Sequence, residues 1–251
     1  MDLDLIAQES AGTAPPLLIA HGLFGSARNW GVLARRLADR GPVRAVDMRN
    51  HGTSPRADSQ SYADMAGDLA DTIEAGGDGP VDVLGHSMGG KAAMVLALTR
   101  PELVRRLIVA DIAPVAYGHS QSHLIAAMRQ VPADVPSRAA ARAALPVEDD
   151  GTAAFLLQSF DRGAGRWLLN LDVLEREMDA IIGFPDLAGR FEGPALFLTG
   201  AASDYVGADR HDLCRSLFPQ ARFEEIAGAG HWLHADAPRE TEAAVRAFLD
   251  A

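Results

Sequence analysis

A serine framed by two glycines, Gly85-His86-Ser87-Met88-Gly89, is the position in this chain best suited to nucleophilic chemistry. The apolar run Val81–Leu84 precedes it, and Met88, Ala92, Val95 and Leu96 follow at helical spacing. A strand, a sharp turn and a helix are therefore predicted, with Ser87 on the turn. Such a turn strains the serine backbone and closes only if its neighbours are small, which Gly85 and Gly89 supply. The amides that open the next helix then face the serine, where they and the helix dipole favour developing negative charge.

Serine needs a base, and the base needs a partner that orients it. His231, in Gly228-Ala229-Gly230-His231-Trp232, lies on a glycine-rich loop after the last predicted strand and is the predicted base. His21 and His51 fall in strand-end loops and are read as backbone braces. His86 adjoins the nucleophile but is expected to point elsewhere. His119, His123 and His211 have no organised surroundings in the sequence. His231 and His234 are one helical turn apart, but no further ligands accompany them, so no metal site is expected.

Two aspartates compete to orient the base. Asp111 ends the strand after the nucleophile strand, at the same sheet edge. Asp204 lies in the loop after the following strand, one residue beyond Ser203. For the oxyanion, Gly22 in His21-Gly22-Leu23-Phe24-Gly25 lets the backbone bend so that the Leu23 amide joins that of Met88. Phe24, Tyr117, Phe155, Phe160, Trp167 and Trp232 are candidates to line an apolar acyl pocket. Lys91, the sole lysine, lies one turn beyond Ser87 and is read as structural or supporting.

These groups need a sheet with one chemically active edge. Short apolar runs at 17–20, 43–47, 81–84, 107–111, 195–199 and 222–226 read as strands. Alternating Leu3, Leu5 and Ala7 suggest a further half-buried edge strand. Helices are expected at 26–40, with Trp30, Leu33, Ala34 and Leu37 inward, and at 61–74. The latter has Ser61 as cap and Ala63, Ala66, Leu69, Ala70 and Ile73 inward. A last helix is expected from Pro238 to about Leu249. The alternation calls for a mostly parallel central sheet with helices on both faces. It breaks after Pro114, where three or four helical segments and no strand are read, Leu171, Leu174, Met178, Ile181 and Ile182 forming the clearest stripe. The expected division is a core of residues 1–114 and 191–251 with an inserted helical cap, 115–190.

The chain has 251 residues, 48% of them apolar, and carries a net charge of −11, which argues against nucleic acid or an anionic membrane as partner. One cysteine, Cys214, excludes an internal disulfide and suits a reducing compartment. The N-terminus lacks a basic segment leading into an apolar run, and no apolar stretch approaches the roughly 20 residues of a membrane helix. A cytoplasmic location and no membrane insertion are expected.

His21-Gly22, Asp47-Met48-Arg49-Asn50-His51-Gly52-Thr53-Ser54, Gly85-His86-Ser87-Met88-Gly89-Gly90 and Gly230-His231 together resemble the α/β-hydrolase family along essentially the whole chain. A closer resemblance, to the YbfF-like esterases, rests on His21–Ser26, Ser87–Ala92, Asp111-Ile112-Ala113-Pro114, Asn170-Leu171-Asp172 and His231–His234. Most of the family places its acid three residues after the glycine that ends the penultimate strand. Here that position holds Ser203, with Asp204 one residue late. The subgroup resemblance implies instead an acid at Asp111 with Ser203 as helper. It further implies a serine hydrolase acting on carboxylic esters or thioesters of short to medium acyl chains, with no cofactor or metal. Arg129, Arg138, Arg142, Arg162 and Arg166 are candidates to attract an acyl-CoA. The same groups would serve an acyltransferase, a carbon–carbon bond hydrolase, a perhydrolase, or a ligand-binding receptor with vestigial chemistry. Haloalkane dehalogenases and epoxide hydrolases of this fold need aspartate where Ser87 stands.

Overall fold

The computed structural model describes residues 1–77 and 79–251. Seven strands form one sheet: β1 (Leu5–Gln8), β2 (Leu17–Ala20), β3 (Val43–Val46), β4 (Val81–His86), β5 (Val104–Ala110), β8 (Ala195–Gly200) and β9 (Ala221–Ile226). Their order is β1-β3-β2-β4-β5-β8-β9. All pairs are parallel except β1 with β3. A two-stranded hairpin, β6 (Phe160–Asp161) with β7 (Arg166–Trp167), stands apart.

The two-residue period of the strands divides the core between the sheet's faces. Leu17, Ile19, Leu84, Ile108 and Leu198 pack with Trp30, Leu33, Val245 and Phe248, on helices α1 (Gly31–Leu37) and α11 (Pro238–Asp250) and the 3₁₀ turn Ala27–Trp30. Leu18, Ala20, Val83, Leu107, Val109 and Phe197 face the other way, onto α2 (Tyr62–Gly76), α3 (Met88–Thr99) and α9 (His211–Leu217). Nearly all of α3 is buried. Its small residues allow that, because the helix lies over the sheet centre and under residues 115–190.

That last stretch holds α4 (Ser122–Met128), α5 (Arg138–Ala144), α6 (Asp150–Leu156), α7 (Leu171–Arg176) and α8 (Met178–Ile182). The hairpin between α6 and α7 corrects the expectation of helices alone. Phe160 and Trp167 pair across it, too short a run to leave a periodic signal. The stripe from Leu171 to Ile182 spans two helices, α7 and α8, rather than one.

Two orientations also differ from the expectation. In β1, Leu5 and Ala7 are exposed and Ile6 and Gln8 turn partly inward, although Leu3 is buried before the strand begins. Pairing with β3 at Leu5–Val46 sets that register, and an edge strand has too little apolar content to fix its own. In α2, Ala63 is exposed, whereas Tyr62 and Met65 are buried with Ala66, Leu69, Ala70 and Ile73. The Ser61 hydroxyl caps this helix by accepting from the Asp64 amide.

The β4–α3 turn leaves no room for side chains. A Cβ on Gly85 would lie 2.3 Å from the Gly89 carbonyl oxygen, and one on Gly89 only 2.4 Å from that of Ala20. Gly67, inside α2, meets nothing within 4 Å. Thermal and denaturant unfolding should therefore separate two alanine substitutions. Gly85→Ala is expected to destabilise by about 1–3 kcal/mol through overpacking. Gly67→Ala should stabilise by about 0.5–1 kcal/mol, as a solvent-facing helical site allows. Equal effects would contradict the packing described for the turn.

Candidate active site

Ser87 stands where β4 ends and α3 begins, with φ 52° and ψ −118°. Few non-glycine residues adopt such a backbone. It is held from both sides: the Ser87 amide donates to the Ala110 carbonyl at 3.0 Å, and its carbonyl accepts from the Lys91 amide at 3.0 Å. Gly22 runs close by, since a Cβ there would be 3.1 Å from that of Ser87. The amides of Leu23 and Met88 are committed to no hydrogen bond among the described residues. Unpaired donors beside a nucleophile can receive a substrate oxyanion.

Asp111 follows β5 on the adjacent strand end and also has a left-handed backbone, φ 53°. Its side chain is fully buried. Oδ1 accepts from the Gly200 amide at 3.1 Å, and Oδ2 accepts from the Ser203 hydroxyl at 2.5 Å and from Nδ1 of His231 at 2.7 Å. The other ring nitrogen of His231, Nε2, lies 3.1 Å from Ser87 Oγ. With Nδ1–H pointed at a carboxylate, Nε2 is left to accept the serine proton. Asp204 is exposed and makes no bond to His231.

The His231 ring is further fixed by Tyr205, stacked on it at 4.2 Å, and the backbone by His86, whose Nε2–H donates to the His231 carbonyl at 2.8 Å. His86 thus points away from the serine hydroxyl, as expected, but toward His231 rather than out of the site. His21 and His51 do brace backbone. Each donates from Nδ1, to the carbonyls of Gly22 and Arg49, and each accepts at Nε2, from the amides of Met48 and Phe24. His119 is not without surroundings: its Nε2 lies 2.7 Å from the Tyr205 hydroxyl, and His211 stacks on Phe223. No group of histidine, cysteine and acidic side chains suited to a metal ion occurs among the described residues.

A matching family model covers residues 17–244, and its description is the alpha/beta hydrolase family. The chain belongs to the alpha/beta hydrolase family. It is 39% identical to "Esterase YbfF" of Escherichia coli (strain K12), over the full length of both chains. It is 42% identical to "sn-1-specific diacylglycerol lipase ABHD11" of Mus musculus, over 94% of this chain and 81% of the relative. Among solved structures, a "Marine microorganism esterase" superposes with a TM-score of 0.92 at 37% identity, covering 98% of this chain and 99% of the other. The alpha/beta hydrolase fold, a mostly parallel sheet flanked by helices, is thus the fold of this chain.

Within this alpha/beta hydrolase, a cavity of about 130 Å³ opens beside Ser87 and His231. Phe24, Tyr117, Phe155 and Trp232 line it. Phe160 and Trp167 do not: they pack on each other, and the indole of Trp167 donates to the Met128 carbonyl inside the 115–190 region. None of the five arginines considered for acyl-CoA lines it either. Arg129 is held by Asp172 and Glu175, and Arg142 by Asp150. These pairs tie neighbouring helices together, the end of α4 to α7 and α5 to α6. Lys91 does reach the cavity wall. Its ammonium donates to the carbonyls of Ile182 (2.8 Å) and Gly183 (2.5 Å) over the Tyr117 ring. Burial, with Arg210 nearby, pushes its pKa down to about 7. The sequence offered no sign of the Tyr205 and His86 contacts, because both depend on where distant loops meet.

Burial pulls the pKa of His21 to about 4 and that of His51 to about 3, while His86 is lowered well below its usual value. Free histidine titrates near 6.5, so between that value and the folded ones the unfolded chain binds more protons. Stability is then full above about pH 6.5 and declines as the pH falls toward 4. Melting temperature recorded across that range should drop steeply for the wild type and more gently for His51→Gln. Parallel slopes would show that His51 is not a neutral buried brace.

Proposed function

We propose that this alpha/beta hydrolase is a serine hydrolase that cleaves carboxylic esters or thioesters of short to medium acyl chains. The observation that carries the reading is the His231 ring, set with Nε2 3.1 Å from Ser87 Oγ and Nδ1 2.7 Å from Asp111. In this reading His231 takes the Ser87 proton as Oγ attacks the carbonyl carbon, and the carbonyl oxygen moves into the Leu23 and Met88 amides. Collapse of the tetrahedral intermediate expels the alcohol or thiol, protonated by His231, and leaves an acyl group on Ser87. His231 then deprotonates a water, which releases the acid and restores the serine. Asp111, with Ser203 on the same oxygen, keeps Nδ1 protonated and supports the imidazolium that forms twice per cycle.

The names of the relatives from Escherichia coli and Mus musculus, an esterase and a lipase, support ester chemistry. The cavity is smaller than the roughly 300–1,000 Å³ that holds drug-sized ligands, which suits short acyl groups. In the same reading residues 115–190 act as the cap, since Tyr117, Leu124, Phe155 and Ile181 close the cavity from that side. The proposed steps use only side chains, backbone amides and water, and need no cofactor. No helix is long and apolar enough to cross a membrane among the described residues, and a cytoplasmic setting fits the single, buried Cys214.

Hydrolysis of p-nitrophenyl acetate, butyrate and octanoate tests the proposal, together with the intact mass of the protein during turnover. The wild type should turn over acetate and butyrate faster than octanoate and carry one acyl adduct. Ser87→Ala should lose activity by about 10⁴-fold or more and carry none. Wild type inert toward every ester, or a fully active Ser87→Ala, would overturn the reading.

A further inference from the structure

The His231 ring is held at its edge by hydrogen bonds to Asp111 and Ser87, and its face lies against Tyr205, 4.2 Å away and 22° from parallel. Tyr205 sits in the loop after β8, half-buried in the wall of the catalytic cavity. Its own surroundings fix it tightly. The Tyr205 amide donates to Ser203 Oγ at 3.3 Å, and that hydroxyl in turn donates to Asp111. The Tyr205 carbonyl accepts from the Tyr117 hydroxyl at 2.7 Å and from Arg210 at 2.5 Å. The phenol oxygen lies 2.7 Å from Nε2 of His119. A ring pinned at its backbone and at its tip stays on the imidazole unless several of these bonds break.

The stack acts differently on the two states of the base. The face of an aromatic ring carries negative charge from its quadrupole, and a cation within about 6 Å of its centroid is attracted. A neutral imidazole gains mainly dispersion there. An imidazolium gains the electrostatic attraction as well, so the stack strengthens as His231 takes the serine or water proton. Interactions that grow toward the transition state are the ones that raise the rate.

The other groups around His231 leave room for such a contribution. Asp111 is the carboxylate bonded to it. His86, 4.8 Å away, is neutral because burial holds its pKa well below the usual value. His234, on helix α10 (Leu233–Asp236), is also neutral near pH 7, its pKa lowered by burial to about 4. Asp204 is exposed beside Tyr205, and Arg210 is turned to the Tyr205 carbonyl and the Tyr117 ring. Burial raises the pKa of the Tyr205 phenol, so a neutral ring rather than a phenolate faces the base.

We propose that Tyr205 is a positioning residue of the base: its ring sets the plane of the imidazole and, through its face, stabilises the positive charge that His231 carries twice per cycle. This inference rests on the ester hydrolase reading.

The test is the pH dependence of kcat/KM on p-nitrophenyl butyrate. It compares the wild type, Tyr205→Phe, and proteins with 4-fluoro- or 3,4,5-trifluorophenylalanine in place of Tyr205. Fluorination keeps the shape of the phenylalanine ring and drains negative charge from its face. The acid limb of the profile reports protonation of the base in the free enzyme. Relative to Tyr205→Phe, the trifluorinated protein should show that limb moved to lower pH by about half a unit and a plateau about threefold lower, the size of one cation–π contact at a partly exposed site. The monofluorinated protein should fall between. A ring that serves only as packing predicts an acid limb common to all three. Such an unmoved limb, or one moved to higher pH by fluorination, overturns the proposal while leaving the hydrolase in place. A wild type inert toward the ester removes the hydrolase reading and the role of Tyr205 with it.

Discussion

A fully buried carboxylate, ion-paired with no lysine or arginine among the described residues, is the constraint on which the site rests. Asp111 is held by three donors, from β8, from the loop after it and from the loop after β9. A charge withdrawn from water is tolerable only when its lone pairs are filled. Those donors therefore have to be where they are, and meeting that condition fixes the loops that carry Ser203 and His231. The same bonds leave Nδ1 of His231 as the protonated nitrogen, and so decide which nitrogen faces Ser87.

Backbone strain occurs at both ends of this arrangement. Ser87 and Asp111 follow neighbouring parallel strands and both have positive φ, conformations that cost of order 1–3 kcal/mol each. They are joined along the sheet edge, for the Ser87 amide donates to Ala110 and the Asp111 amide to Leu198. Two strained residues thus share one rigid strand pair, with His231 bridging their side chains. The packed core under β4, β5 and β8 supplies the stiffness that keeps them there. A second tier of neutral histidines holds the loops: His21 and His51 under the Leu23 turn, and His86 beneath the His231 carbonyl.

Much of this was legible in the sequence, and the reasons are local. Gly85 and Gly89 around Ser87 announce a turn whose geometry follows from sterics. Continuous apolar runs announce strands covered on both faces. Asp111 was readable because it ends a strand next to the nucleophile strand, although its left-handed backbone was not. What the residues could not convey depends on long-range meeting points. The inward face of β1 is set by its pairing with β3, and Trp167 turns into the helices instead of the cavity because Met128 offers its indole an acceptor. His234, read only as a neighbour of His231, lies against Trp30, two hundred residues earlier.

In the proposed hydrolase the base is oriented by a carboxylate at the end of β5 and not by one in the loop after β8. Steady-state kcat of Asp111→Asn and Asp204→Asn on p-nitrophenyl butyrate, with folding checked by circular dichroism, tests it most directly. Asparagine at 111 keeps the shape but favours the wrong imidazole tautomer, so kcat should fall by about 10⁴-fold, while Asp204→Asn should stay near wild type. A steep loss in Asp204→Asn with Asp111→Asn still active would contradict the account and return the acid to the later loop.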